Sequence, residues 1–288
     1  MAKIRVRDLE MGYEVYGRSD AEPLVLLHGF TDTGHMFDPF LGQLGEHYQL
    51  FVPDWRGHGR TTNPAGAIVH AELARDTAAF AAALGLNRAH FCGFSSGGMH
   101  LLFLALDHPR LVHSLTLVSA TYTFDDHAKV KVHAARESAQ AEWIASLNAF
   151  HAETHGANYA HTLLDLWVNS VLRPDELPFA PDDLGKISCP TLILHGDRDE
   201  FFPIQIPVTM YQAIPNSQLC ILPNCRHDLP WAISPALFMA ILLDFLAQHP
   251  LGVTPPPPPP PAPVPPPAPL AAGTAHRPTD SRRARDAP

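Results

Sequence analysis

The segment Ala89-His90-Phe91-Cys92-Gly93-Phe94-Ser95-Ser96-Gly97-Gly98-Met99-His100 passes from a short apolar run, through a glycine-flanked serine, into the apolar series Leu101 to Leu106. That pattern predicts a strand, a sharp turn and a buried helix. A serine held at such a turn takes a strained backbone conformation. The residues two positions to either side must then be glycine, so that strand and helix can pass close to it. Gly93 and Gly97 stand at those positions. The turn exposes the Ser95 hydroxyl at the carboxyl edge of a sheet and leaves the N–H of Ser96 at a helix start, where negative charge is favoured. One turn can thus supply a nucleophile and half of an oxyanion hole. A glycine-rich turn can also be purely structural, so the surrounding chain has to decide.

Working outward, Leu24-Val25-Leu26-Leu27-His28 is a continuous apolar run, the mark of a strand buried on both faces. Residues 3–7 and 12–17 read as antiparallel edge strands, 49–53 and 114–118 as further strands, and 36–48 and 70–84 as helices, with Gly85 placed to end the second. After Thr121 the alternation stops. Two or three helical segments are expected around 130–151 and 158–171, separated by Gly156 and stopped near Pro174 and Pro178. Alternation resumes with strands at 191–194 and 218–222 and helices at 206–214 and 235–248. The expected fold is α/β, with a mostly parallel sheet, helices on both faces and a helical insertion over the carboxyl edge. The expected division is a core of 1–120 and 186–250, a helical insertion over 121–185, and a tail over 251–288.

Composition supports that last boundary. Of 30 prolines, 14 follow Val253, and the tail has almost nothing to bury, so it is expected to be extended and disordered. The chain carries a net charge of −9, although the tail holds four arginines against two aspartates, so nucleic acid is not an expected partner. No signal-peptide pattern opens the sequence and no apolar stretch approaches the roughly 20 residues that span a bilayer, so no membrane association is expected and the cytoplasm is the expected compartment. Cys92, Cys189, Cys220 and Cys225 lack metal-site spacing and read as reduced and mostly buried. His151 and His155 lie one helical turn apart, but Glu153 is not where a zinc protease needs its glutamate. Neither a metal nor a cofactor is expected.

Five motifs, in order, resemble those of α/β-hydrolases with a helical cap, over residues 1 to about 250. They are His28-Gly29-Phe30, Asp54-Trp55-Arg56-Gly57-His58-Gly59, Gly93-Phe94-Ser95-Ser96-Gly97-Gly98, His195-Gly196-Asp197-Arg198-Asp199 and Cys225-Arg226-His227. The resemblance implies the α/β-hydrolase fold, with 121–185 as the cap. It also implies a Ser95, Asp199, His227 triad in the order expected of this fold. An alcohol is a weak nucleophile until a base removes its proton, and a carboxylate must hold that base in the right tautomer. Asp197 and Asp199 both follow the strand ending at Leu194; the family's acid matches Asp199, with Asp197 as a turn former. The N–H groups of Phe30 and Ser96 match the oxyanion hole. His28 is expected to order its loop rather than touch substrate.

The triad implies acyl transfer to water. Esters of small to medium, mainly neutral acyl or aryl substrates are the expected class. Lactones and carbon–carbon substrates are alternatives, and a non-catalytic ligand-binding protein on the same fold is the alternative of a different class. The segments Thr31 to Pro39 and His90 to Gly93 are similar to those of 3-oxoadipate enol-lactonases and related esterases. Two departures are Phe37, where a tryptophan is expected, and Ser96, in place of a usual methionine. Phe94, Trp143 and Trp167 are candidate substrate-binding residues. Over 121–185 ten acids face four bases, which disfavours a polyanionic substrate. The assembly is expected to be a monomer or homodimer.

Overall fold

The computed structural model describes residues 2–228 and 235–252. The tail expected over 251–288 lies outside them except for its first two residues, and Leu251 donates its backbone N–H to Glu22 at 2.7 Å. Eight strands form one sheet: β1 (Ala2–Val6), β2 (Leu9–Tyr16), β3 (Glu22–Leu27), β4 (Tyr48–Pro53), β5 (Ala89–Phe94), β6 (Val112–Val118), β7 (Thr191–Gly196) and β8 (Ser217–Leu222). Their order is β1-β2-β4-β3-β5-β6-β7-β8. β1 and β2 are antiparallel additions at one edge, and β4, β3, β5, β6, β7 and β8 run parallel.

The apolar strands divide their side chains between two cores, as the two-residue period of a strand dictates. Leu24, Leu26, Cys92, Phe94, Leu192 and Leu194 enter one cluster, packed with Phe40 and Leu44 of α1 (Asp38–Gly45) and Phe238 and Leu242 of α9 (Pro235–Ala247). Val25, Leu27, Phe91, Leu115, Leu117 and Ile193 enter the other. There they meet Phe80 of α2 (His70–Ala83), Leu101 and Leu102 of α3 (Ser96–Asp107) and Met210 of α8 (Gln205–Ala213). α2 ends as its sequence predicts: Gly85 has φ +73°, and the N–H groups of Gly85 and Leu86 return to the carbonyls of Ala82 and Ala81.

Two helix expectations differ from the structure. Where one helix over 36–48 is predicted, a 3₁₀ turn at Gly34–Phe37 leads into α1, and Tyr48 already belongs to β4. Pro39 sits in the first turn of α1, where its missing N–H costs nothing. Of the two or three helical segments expected around 130–151 and 158–171, the first stretch holds two, α4 (Asp126–Glu137) and α5 (Ala141–His155), the former starting four residues earlier than expected. Ser138 Oγ donates to the carbonyl of Ala134 and Gln140 is extended, which breaks the ladder between them. α6 (Ala160–Leu172) and α7 (Pro181–Leu184) complete the helices between β6 and β7.

Along the chain, β4 is added on one side of β3 and β5 on the other, so the order reverses between β3 and β5. Open parallel sheets form clefts at the carboxyl ends of strands at such a reversal. The loop carrying Phe30 and the turn carrying Ser95 leave β3 and β5 there.

Candidate active site

Ser95 has φ 50° and ψ −117°, a conformation that a side chain rarely adopts and that the surrounding packing must impose. The packing is visible at its two glycines. A side chain at Gly93 would strike the carbonyl of Gly97, and one at Gly97 would run into the carbonyls of Leu27 and His28. The elbow is therefore fixed by close backbone approach on both flanks. The N–H of Ser95 donates to Val118 at 2.8 Å, tying it to β6, and Ser96 opens α3, where the first N–H groups have no partner within the helix.

His227 bridges two of the residues singled out from the sequence. Its Nε2 lies 2.9 Å from Ser95 Oγ and its Nδ1 2.8 Å from Asp199 Oδ2. The second Asp199 oxygen accepts the N–H groups of Phe201 at 2.9 Å and Phe202 at 3.0 Å. Burial alone would raise the pKa of Asp199, but the neighbouring His227 and these hydrogen bonds hold it below the usual carboxylate range. The carboxylate therefore accepts the Nδ1 proton and leaves Nε2 to accept from Ser95. Asp197 is engaged elsewhere, accepting the N–H of Cys225 at 3.2 Å. Glu200 accepts the N–H of His227 at 3.2 Å and pairs with Arg226 at 2.7 Å, which secures the histidine loop.

Ser95, Ser96, His227 and Phe30 line a small cavity of about 20 Å³ with His70, Met99, Phe124, Val132, Trp167, Val171, Phe201 and Phe202. Trp167 stacks over Phe30 at 6.2 Å between ring centroids. The other two aromatic candidates lie elsewhere. Phe94 sits against the ring of His227 at 5.3 Å rather than among the lining residues, because as the last residue of β5 it points into the cluster shared with α1 and α9. Trp143 packs with Leu147, Ala160 and Leu164, where α5 meets α6. Its place among the substrate-binding candidates is thus corrected: it joins two helices to each other.

His28 does what its loop position suggests. It is fully buried, its Nδ1 donates to the carbonyl of Gly29 at 2.8 Å, and its Nε2 accepts the N–H of Trp55 at 3.2 Å. Burial lowers its pKa to about 4, so the ring is neutral and holds the β3 loop against the Asp54–Gly59 segment. His151 donates from Nδ1 to the carbonyl of Leu147, and His155 stacks on Tyr159 at 4.2 Å. All four cysteines are free, Cys92 and Cys225 being buried. Among the described residues no helix is long and apolar enough to cross a membrane.

Sequence reasoning missed a second buried chain of polar groups beside Ser95. Ser96 Oγ lies 2.6 Å from His70 Nε2, and His70 Nδ1 lies 2.5 Å from Glu176 Oε1. The same oxygen accepts the backbone N–H of His70 at 2.7 Å and the hydroxyl of Ser170 at 3.1 Å. Phe201 and Phe202 were also missed, although their place just past Glu200, which follows the Asp197–Asp199 motif, was a usable signal.

A strained serine at a strand-to-helix elbow, facing a carboxylate-held histidine at the carboxyl edge of such a sheet, is the arrangement of an α/β hydrolase. The model of the α/β-hydrolase fold family matches residues 22–137. A protein of Agrobacterium fabrum named "Putative carbamate hydrolase RutD" is 30% identical over 257 residues, covering 82% of this chain and 98% of its own. Human "Serine hydrolase BPHL" is 24% identical over 236 residues, covering 79% and 80%. The crystal structure of the enol-lactonase from Burkholderia xenovorans superposes with a TM-score of 0.70 at 20% identity, over 86% of this chain and 100% of that one. The chain belongs to the α/β-hydrolase family, and it is a hydrolase of that family.

Proposed function

We propose that this protein is a serine hydrolase that cleaves carboxylic esters of small to medium, mainly neutral acyl or aryl substrates through an acyl-enzyme. The observation that carries this reading is the hydrogen-bonded chain from Ser95 through His227 to Asp199. His227 takes the proton of Ser95 as its oxygen attacks the carbonyl carbon, and Asp199 stabilises the imidazolium that forms. The developing oxyanion is assigned to the N–H groups of Ser96 and Phe30, two residues that line the cavity. The imidazolium then protonates the leaving alcohol. Water, activated by the same histidine, releases the acid.

Residues 121–185 act as a cap. Phe124, Val132, Trp167 and Val171 contribute an apolar wall opposite Ser95, as expected for a neutral substrate. Free volume of about 20 Å³ holds no more than a water molecule, whereas small-ligand sites occupy roughly 300 Å³ or more. Substrate entry therefore requires the helices over Ser95 to move. The chain works on small molecules in the cytoplasm. The test is turnover of a panel of phenyl esters and lactones of graded acyl length by the purified protein. Saturable hydrolysis of neutral esters is expected; a preference for carboxylate-bearing lactones contradicts the substrate class, and no turnover of any acyl substrate contradicts the activity.

A further inference from the structure

Two side chains give the cavity wall its polar character beyond Ser95 and His227: Ser96 and His70. Both are almost wholly buried, as is Glu176 behind them. Buried polar groups carry a cost unless paired, so a three-membered relay inside an apolar wall calls for a use. Its proton pattern can be read from its partners. Glu176 accepts from the backbone N–H of His70, so it also accepts from His70 Nδ1. The Nδ1 proton of the ring is thus committed to Glu176, and in the neutral imidazole the other nitrogen is the acceptor. His70 Nε2 is then an acceptor, and the Ser96 hydroxyl donates to it across 2.6 Å. The Ser96 oxygen is left with lone pairs on the cavity side.

We propose that Ser96 is a specificity-determining residue that accepts a hydrogen bond from a donor carried within two bonds of the scissile carbonyl carbon, with His70 and Glu176 as the positioning residues that aim it. The complementary chemistry is an N–H directly on the carbonyl, as in a carbamate, or an α-hydroxyl, as in a 2-hydroxy ester. A substrate without such a donor leaves the lone pairs of the Ser96 oxygen without a partner inside the closed site. Sites built to pair a polar group discriminate strongly against analogues that lack it. Ser96 itself is not placed as a nucleophile, since it has helical backbone as the first residue of α3 and the strained elbow belongs to Ser95. This inference rests on the acyl-enzyme reading above.

The test compares two shape-matched pairs, phenyl carbamate with phenyl acetate and phenyl glycolate with phenyl propionate, in wild type, Ser96→Ala and Glu176→Gln. Dividing each variant's kcat/KM by that of wild type cancels the intrinsic reactivity of each substrate. Ser96→Ala is expected to lower kcat/KM for the donor-bearing member of at least one pair on the order of tenfold more than for its partner. The pair affected tells an N–H from an O–H. Glu176→Gln is expected to shift the same ratio in the same direction, a change that simple loosening of the fold, monitored by melting temperature, would not produce. Equal losses across both pairs, or an active-site phosphonate adduct on Ser96, overturn the proposal while leaving ester hydrolysis intact. Absence of turnover by wild type on all four substrates overturns the proposed ester-hydrolase reading and this proposal together.

Discussion

Asp199 accepts the Nδ1–H of His227 at 2.8 Å, whereas Asp197, two residues earlier, accepts the backbone N–H of Cys225. The two aspartates are equivalent in the sequence apart from motif position, and the structure gives them different work. Asp199→Asn is expected to reduce kcat on the order of 10⁴-fold, the cost of presenting the wrong histidine tautomer in a serine protease. Asp197→Asn weakens one hydrogen bond and should cost about 1 kcal/mol of stability with far less effect on kcat. Steady-state kinetics and urea titration of both variants check the pair.

At Gly97 the backbone of α3 passes against the carbonyls of Leu27 and His28. Gly97→Ala is expected to destabilise the protein by about 1–3 kcal/mol, as overpacking does, and to lower the melting temperature by about 2–4 °C per kcal/mol. Gly42→Ala, inside α1 where an added Cβ meets nothing within 4 Å, is the control and should stabilise the protein by about 0.5–1 kcal/mol through helix propensity. Calorimetry of the two variants distinguishes steric fixing of the elbow from a general intolerance of glycine replacement.

Trp167 and Trp143 look alike from the sequence but occupy different places. Trp167 lines the cavity and stacks on Phe30, so Trp167→Ala is expected to alter KM and acyl-chain preference. Trp143 packs between α5 and α6. Trp143 is only partly buried, so Trp143→Ala should lower stability by about 1–3 kcal/mol, with a smaller change in acyl-chain preference. Comparing specificity constants with denaturation midpoints checks the assignment.

Acid should unfold this protein through its buried histidines. His28 has a pKa lowered by burial to about 4, and burial also lowers His58 and His100 below the ordinary 6.5. Across the window from about 6.5 down to about 4 the unfolded chain binds more protons. The stabilising contribution of these residues is thus complete above about 6.5 and is lost as pH falls. Asp32 acts in the opposite sense: burial raises its pKa from 3.8 to about 6, so its contribution is complete below 3.8 and lost as pH rises through about 6. Three histidines outweigh one aspartate. Urea midpoints are expected to fall from about pH 7 to about pH 5, and more steeply in Asp32→Asn.

What the sequence could reveal follows from how local each signal is. The elbow was legible because its glycines lie two residues from Ser95, and the parallel sheet because β3 is a continuous apolar run and the strands alternate with helical stretches along the chain. The break between α4 and α5 was not, since Ser138 and Gln140 are tolerable helix residues that end it through specific side-chain bonds. Nor was the His70–Glu176 pair, whose members are 106 positions apart: a histidine opening an alanine-rich helix and a glutamate between two prolines follow no periodic pattern. Helical spacing marked both Trp143 and Trp167 as apolar, but which face meets the cavity is set by tertiary packing.

The central claim is that Ser95 attacks the substrate and carries the acyl group. Its most direct measurement is intact-mass and peptide-mapping analysis of the protein after reaction with a fluorophosphonate. A single adduct on Ser95, abolished in Ser95→Ala and slowed in His227→Ala, is the predicted result. Folded protein that stays unlabelled, or a label on any residue other than Ser95, would contradict it.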